Sequence, residues 1–356
     1  MKSFDEVFVD KTKYGTKVKT DEYQKTGKNI IIDQGQKLIA GYTDLEDGIF
    51  DDVPVIIFGD HTRIIKYVEN PFFLGADGVK VLKSKMENVN YKYLYYALKS
   101  AKIPDTGYNR HFKWLKEVNI RYPSLEEQKK IVVILDKVNS VIEARKEKLE
   151  ELDNLIKSRF VEMFGDPKYN KSNLVKIGEI GVLTSGGTPS RTKPEYFEGD
   201  IRWYSAGELN SLYLPDSVEH ISETALQQSS AKLFNKETLM IGMYDTAAFK
   251  MGILTKNASS NQACANLNPK QGYNVVWLYY LFEIMKPIFL QERQGVRQKN
   301  LSLSKIKEFE VPFAPFDLQD QFADFVKQTD KLKSEVQKSL DETQLLMDSL
   351  MQQYFG

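Results

Sequence analysis

Apolar residues at Ile131, Leu135, Val138, Ile142, Leu149, Leu152, Ile156, Phe160 and Met163 recur at spacings of four and three, interrupted only by Arg145. Such spacing predicts a helix with a coiled-coil seam. Its start is marked by Pro123 and by Ser124-Leu125-Glu126-Glu127, which fits a capping box. A second seam follows at an offset of about 191 residues, at Phe322, Val326, Thr329, Lys333, Val336, Leu340, Thr343, Met347, Leu350 and Tyr354, with that helix starting near Asp317. Arg145 either fixes register against a partner helix or snorkels to solvent.

The segments before each helix alternate differently. Short β-rich runs such as Asn29-Ile30-Ile31-Ile32 and Val53-Pro54-Val55-Ile56-Ile57-Phe58 are separated by glycine and aspartate turns. Helices are expected at Tyr91 to Lys99 and at Val275 to Met285, with their tyrosines and Trp277 as core. Each mixed segment is therefore an α+β domain.

The two halves are a duplication. Gly15-Thr16-Lys17-Val18-Lys19-Thr20 returns as Gly187-Thr188-Pro189-Ser190-Arg191-Thr192, 172 residues on; Tyr93-Leu94-Tyr95-Tyr96 returns as Trp277-Leu278-Tyr279-Tyr280, 184 on; Leu115-Lys116-Glu117-Val118 returns as Ile306-Lys307-Glu308-Phe309, 191 on. The growing offset places insertions within the second copy. The expected organisation is a domain at 1–123, a helix at 124–165, a domain at 166–313 and a helix at 314–356. A helix from Ser124 to Phe164 is about 60 Å long and can hold two domains apart; antiparallel pairing with its repeat would relate them by a pseudo-twofold axis.

At 356 residues, 42% hydrophobic and 28% charged, the chain has too much apolar surface to remain disordered. Its net charge is zero, but the distribution is uneven: residues 1–124 carry +3 and 166–313 carry +2, whereas 125–165 carry −1 and 314–356 carry −4. Positive charge sorted into the two domains favours a nucleic-acid reader over an ordinary pair of domains, since connectors that do not touch a polyphosphate need none. A single cysteine, Cys264, excludes a disulfide framework and suits a reducing cytoplasm; neither a signal peptide nor a membrane span is visible.

Candidate contacts to nucleic acid follow from side-chain type. Lys11, Lys13, Tyr14, Lys17 and Lys19 surround the first glycine loop; Ser185, Gly186, Gly187, Thr188, Ser190, Arg191 and Lys193 form its twin, whose glycines, hydroxyls and amides can approach phosphate. The alternative for each is a solvated turn. Asn109 and Arg110, with the counterpart Arg297, Gln298, Lys299 and Asn300, supply side chains suited to purine edges, or are simply polar loops; Arg110 with His111 is a polar loop contact or ordinary surface. His61 and Arg63 are polar loop contacts or ordinary surface, and Tyr244 stacks or packs.

Enzyme signatures are lacking. The 186–190 loop has no Gly-Lys-Ser/Thr ending for ATP, Asn70-Pro71-Phe72-Phe73 lacks the second proline of an adenine-methyltransferase loop, and three scattered histidines do not make a metal site. No catalytic, cofactor-binding or metal residue is assigned.

Taken with Pro123-Ser124-Leu125-Glu126-Glu127-Gln128-Lys129-Lys130-Ile131, the ending Phe160-Val161-Glu162-Met163-Phe164-Gly165-Asp166-Pro167, and Asn261-Gln262-Ala263-Cys264, the chain resembles the specificity (S, HsdS) subunits of type I restriction–modification systems over essentially its whole length. Ala314-Pro315-Phe316-Asp317-Leu318-Gln319 is a degenerate copy of the first helix start. The resemblance implies two target recognition domains, each reading half of a split double-stranded DNA target. It also implies helices that set the half-site spacing and dock two methyltransferase (M) subunits, with restriction (R) subunits in the full complex. S-adenosylmethionine, ATP and Mg belong to those partners. The rival expectations are a self-contained DNA methyltransferase or nuclease, and a coiled-coil scaffold.

Overall fold

The computed structural model describes residues 1–75, 77–293 and 300–356. They form two compact units, Met1–Lys146 with Lys338–Gly356, and Glu147–Gln337.

In the first unit, an antiparallel sheet runs in the order Phe8–Asp10, Val79–Ser84, Val55–Gly59, Ile65–Val68. A second sheet runs Lys17–Val18, Phe72–Gly75, Asn29–Ile32, Gly41–Thr43, and its first three strands are parallel. The apolar run at 55–58 is buried on both faces, as its lack of alternation requires. Ile56 and Phe58 join the core beneath the helix Tyr91–Lys99, while Val55 and Ile57 join Phe72 and Leu74 on the other side. Asn90 caps that helix by accepting from the Tyr93 amide.

The second unit repeats this scheme. Gly181–Ser185, Cys264–Pro269, Leu239–Gly242 and Met251–Ile253 form the same antiparallel order, and Ile201–Tyr204 lies parallel to Ser259–Ser260 and antiparallel to Glu219–Ile221. The helix Val275–Phe289, capped by Asn274, repeats Tyr91–Lys99 with an extension beyond Met285. The strand Asn210–Tyr213 and helix Glu223–Gln228 are additions, and they fall where the repeat offset grows.

The central helix spans Leu125–Phe164 and the final helix Phe316–Phe355. They pair antiparallel within each unit. In the first, Arg121 donates to the Tyr354 carbonyl at 3.0 Å and Arg145 to that of Ser339 at 2.6 Å, so Arg145 sets register rather than snorkelling. In the second, Lys333 meets Asp153 at 2.6 Å and Phe160 lies edge-on to Phe322, with ring centroids 5.2 Å apart. The polar seam residues are accommodated locally: Thr329 and Thr343 return their hydroxyls to the carbonyls of Phe325 and Ser339. No described helix is long and apolar enough to cross a membrane.

Candidate nucleic-acid interface

In the first unit the loop leaving Phe8–Asp10 places the ammonium groups of Lys11 and Lys13 over the Tyr14 ring, 5.0 and 4.8 Å from its centroid. Tyr14 is 60% exposed, so the cluster is a cationic aromatic surface open to a ligand. Lys17 lies 2.6 Å from Asp77, whose carboxyl is held below its ordinary value by that hydrogen bond and charge and, more weakly, by Arg110. Lys19 is exposed one step further along.

The next loops join this surface through Gln34. Its side chain accepts from the His61 amide and donates to the Asp77 carbonyl, and its own carbonyl accepts from Thr62. Lys66, buried and therefore with a lowered pKa, secures the turn beneath by donating to the carbonyls of Asp33 and Lys37. The His61 ring stacks on Tyr108, with centroids 4.8 Å apart, and Tyr108 is 87% exposed. Arg63 pairs with Asp105 at 2.6 Å, and Asn109 donates to the Thr106 carbonyl. The Asp105 carboxyl is depressed first by the Gly107 amide and then by Arg63.

His111 does not belong to this surface. It is fully buried, its amide and Nδ1 both directed at the Asp60 carbonyl, at 2.7 and 3.0 Å. The expected contact is thus a positioning residue: the Asp60 carbonyl and carboxylate fix the backbone of 111–112, and with it the loop bearing Tyr108 to Arg110.

In the second unit the glycine loop also departs from expectation. The amides of Gly186 and Gly187 donate to the carbonyls of Cys264 and Ser260, so neither of these two is turned to a phosphate. A Cβ on either residue would fall 2.2 or 2.1 Å from the carbonyl oxygen of Ser260 or Ser230. Close packing against neighbouring backbone, not a phosphate cradle, requires these glycines. What the loop offers is its side chains. Thr188 bonds Gln262, Ser190 bonds Thr192, and Lys193 donates to the Tyr196 hydroxyl at 2.9 Å. The Ser185 carbonyl accepts from Lys232. Arg191 forms a two-pronged ion pair with Glu219, one prong at 2.7 Å, and lies over Phe197 and Trp203, 4.2 and 5.3 Å from their centroids.

Tyr244 and Asn300 are brought together: the Asn300 side chain accepts from the Asp245 amide, while the Met243 amide donates to Ala263 beside Gln262. Arg297, Gln298 and Lys299 lie outside the described residues. Gln262, Glu219, Gln34, Asp77 and Tyr108 were not singled out from sequence as site residues. Of these, Gln262 carries a signal in Asn261-Gln262-Ala263-Cys264, and Tyr108 in its place beside Asn109 and Arg110. Cys264 itself is buried, which pushes its thiol up to about 12 and leaves it unreactive. Among the described residues no group of three or more His, Cys, Asp or Glu could hold a metal ion.

A family profile described as the type I restriction modification DNA specificity domain matches residues 2–154 and again 169–343. The EcoR124I/EcoR124II specificity subunit of Escherichia coli is 25% identical over 351 residues, covering 92% of this chain and 85% of that protein. The MjaIX specificity subunit of Methanocaldococcus jannaschii is 27% identical over 185 residues, covering 51% and 43%. The S subunit from M. genitalium shares the fold, with a TM-score of 0.59 at 19% identity over 100% of this chain and 95% of that one. A chain from a type I restriction–modification assembly study superposes with a TM-score of 0.56 at 14% identity, covering 99% and 95%.

Proposed function

The chain belongs to the type I restriction–modification DNA specificity family, and we propose that each unit reads one half of a bipartite DNA target through the loops at one end of its main sheet. In the first unit these are the loops of Lys11 to Lys19, His61 to Arg63 and Tyr108 to Arg110. In the second they are the loops of Ser185 to Lys193, Tyr244 and Gln262, with Asn300. The observation that carries the reading is the repeated loop after the first sheet strand, which in both units sets cations against aromatic rings: Lys11 and Lys13 on Tyr14, Arg191 on Phe197. Flat cationic surfaces of this kind suit phosphate, sugar and base edges together.

The long helices act as the spacer and as the docking site for two methyltransferase subunits. Exposed apolar positions on them recur at the repeat offset, Val141 with Leu332 and Leu155 with Leu346, as two copies of one partner would require. Catalysis, S-adenosylmethionine, ATP and Mg are assigned to the methyltransferase and restriction partners in the cytoplasm, and this chain contributes the choice of sequence.

Mapping methylated bases on DNA modified by the assembled complex tests this. Replacing the recognition part of one unit with that of a relative should change one half of the target and leave the other. A change in both halves, or methylation by the purified chain alone, overturns the proposal.

A further inference from the structure

Arg191 is already engaged before DNA arrives. Its guanidinium fork is already satisfied by both oxygens of Glu219, and its face is already covered by Phe197 and Trp203. The housing is built rather than incidental. Glu219 and Trp203 are direct partners across adjacent strands, the Trp203 indole N–H is anchored on the Gly187 carbonyl at 3.0 Å, and Phe197 stands edge-on to Trp203 at 5.9 Å. Arg191 is 56% exposed and Glu219 39%, so the pair sits where a duplex would compete for it. The corresponding loop of the first unit has the same device in simpler form, Lys17 held by the exposed Asp77.

We propose that Glu219 is a specificity-determining residue: a carboxylate lock that keeps Arg191 from binding any phosphate that comes within reach, and releases it only to a ligand offering equally good two-pronged geometry. This rests on the recognition reading above. Opening the pair costs the same on every sequence. A matched site holds the duplex in register against the loops, so that two acceptors, a purine edge or two oxygens of one phosphate, meet the fork and restore both hydrogen bonds; a duplex not held in that register returns less than the opened pair has lost. The lock therefore subtracts mainly from non-specific binding, and discrimination between sequences rises.

Glu219→Gln keeps size and strand pairing while removing the charge. Binding of the chain–methyltransferase complex would be measured on a duplex carrying the mapped methylation site and on one with both half-sites scrambled. The variant should tighten binding to the scrambled duplex by roughly 1.5-fold to fivefold, the worth of one exposed ion pair, and change the matched duplex less. The gain should vanish in an Arg191→Ala background, as a coupled pair requires. Weaker binding to both duplexes would make Glu219 an orienting group and overturn the proposal, as would no change in either. If the unaltered complex fails to distinguish the two duplexes, the recognition reading itself falls.

Discussion

The side chain of Gln128 accepts the backbone amide of Asn90 at 3.0 Å, and 191 residues later the side chain of Gln319 accepts that of Asn274 at 2.8 Å. Each glutamine is fully buried on the first turn of a long helix, and each asparagine caps the helix that covers its sheet. The other end of each amide returns to its own helix start, to Pro123 and to Ala314. Each glutamine thus fastens its domain to its helix, alongside Lys92 and Tyr96 on Asp136 in the first unit and Asn274 on Asp320 in the second. Gln128→Leu or Gln319→Leu leaves the amide of half-buried Asn90 or Asn274 without its acceptor and should cost about 1–3 kcal/mol, read as a lowered denaturation midpoint.

Lys11→Ala with Lys13→Ala removes the cations from the Tyr14 surface. Affinity for DNA should fall on all sequences alike, and the slope of log K against log salt should flatten by about 0.9 for each phosphate that is no longer neutralised. An unchanged slope would place the two lysines outside the interface.

His111→Ala has a different signature. Because the ring is fully buried, the substitution leaves a cavity and removes one of the two N–H groups on the Asp60 carbonyl, the amide of residue 111 remaining, and should lower stability by about 1–3 kcal/mol. At temperatures where the variant remains folded, its salt dependence should match that of the unaltered chain.

Removing one heptad from both long helices shortens each by about 10 Å, close to the rise of three base pairs at about 3.4 Å each. The gap between methylated half-sites should contract by about three base pairs. A gap that stays constant would take the helices out of that role.

The periodic parts of the molecule were legible because they depend on local spacing. The seam positions Ile131, Leu135, Ile142, Ile156 and Phe160 are buried as a four-and-three pattern demands, and Tyr91–Lys99 has the predicted bounds. The pairing of Arg145 with Ser339 was one of two open readings, settled only by which carbonyl came opposite. Burial of His111 escaped because it depends on Asp60, 51 residues away, and a histidine beside an arginine in a polar stretch carries no mark of it. Gly186 and Gly187 look the same in sequence whether glycine is demanded by a ligand or by neighbouring backbone. Glu219 and Asp77 were invisible as partners because ion pairs across 28 and 60 residues leave no local trace.

The helical floor of the first unit is assembled from residues 125–146 and 338–356, and that of the second from the remaining stretches of the same two helices. Neither repeat owns a complete floor. A truncated chain carrying one repeat would expose the bare seam of Ile131, Leu135 and Ile142, and its remedy would be to borrow: two such half-chains, laid head to tail, would cover one another and rebuild both floors as a homodimer.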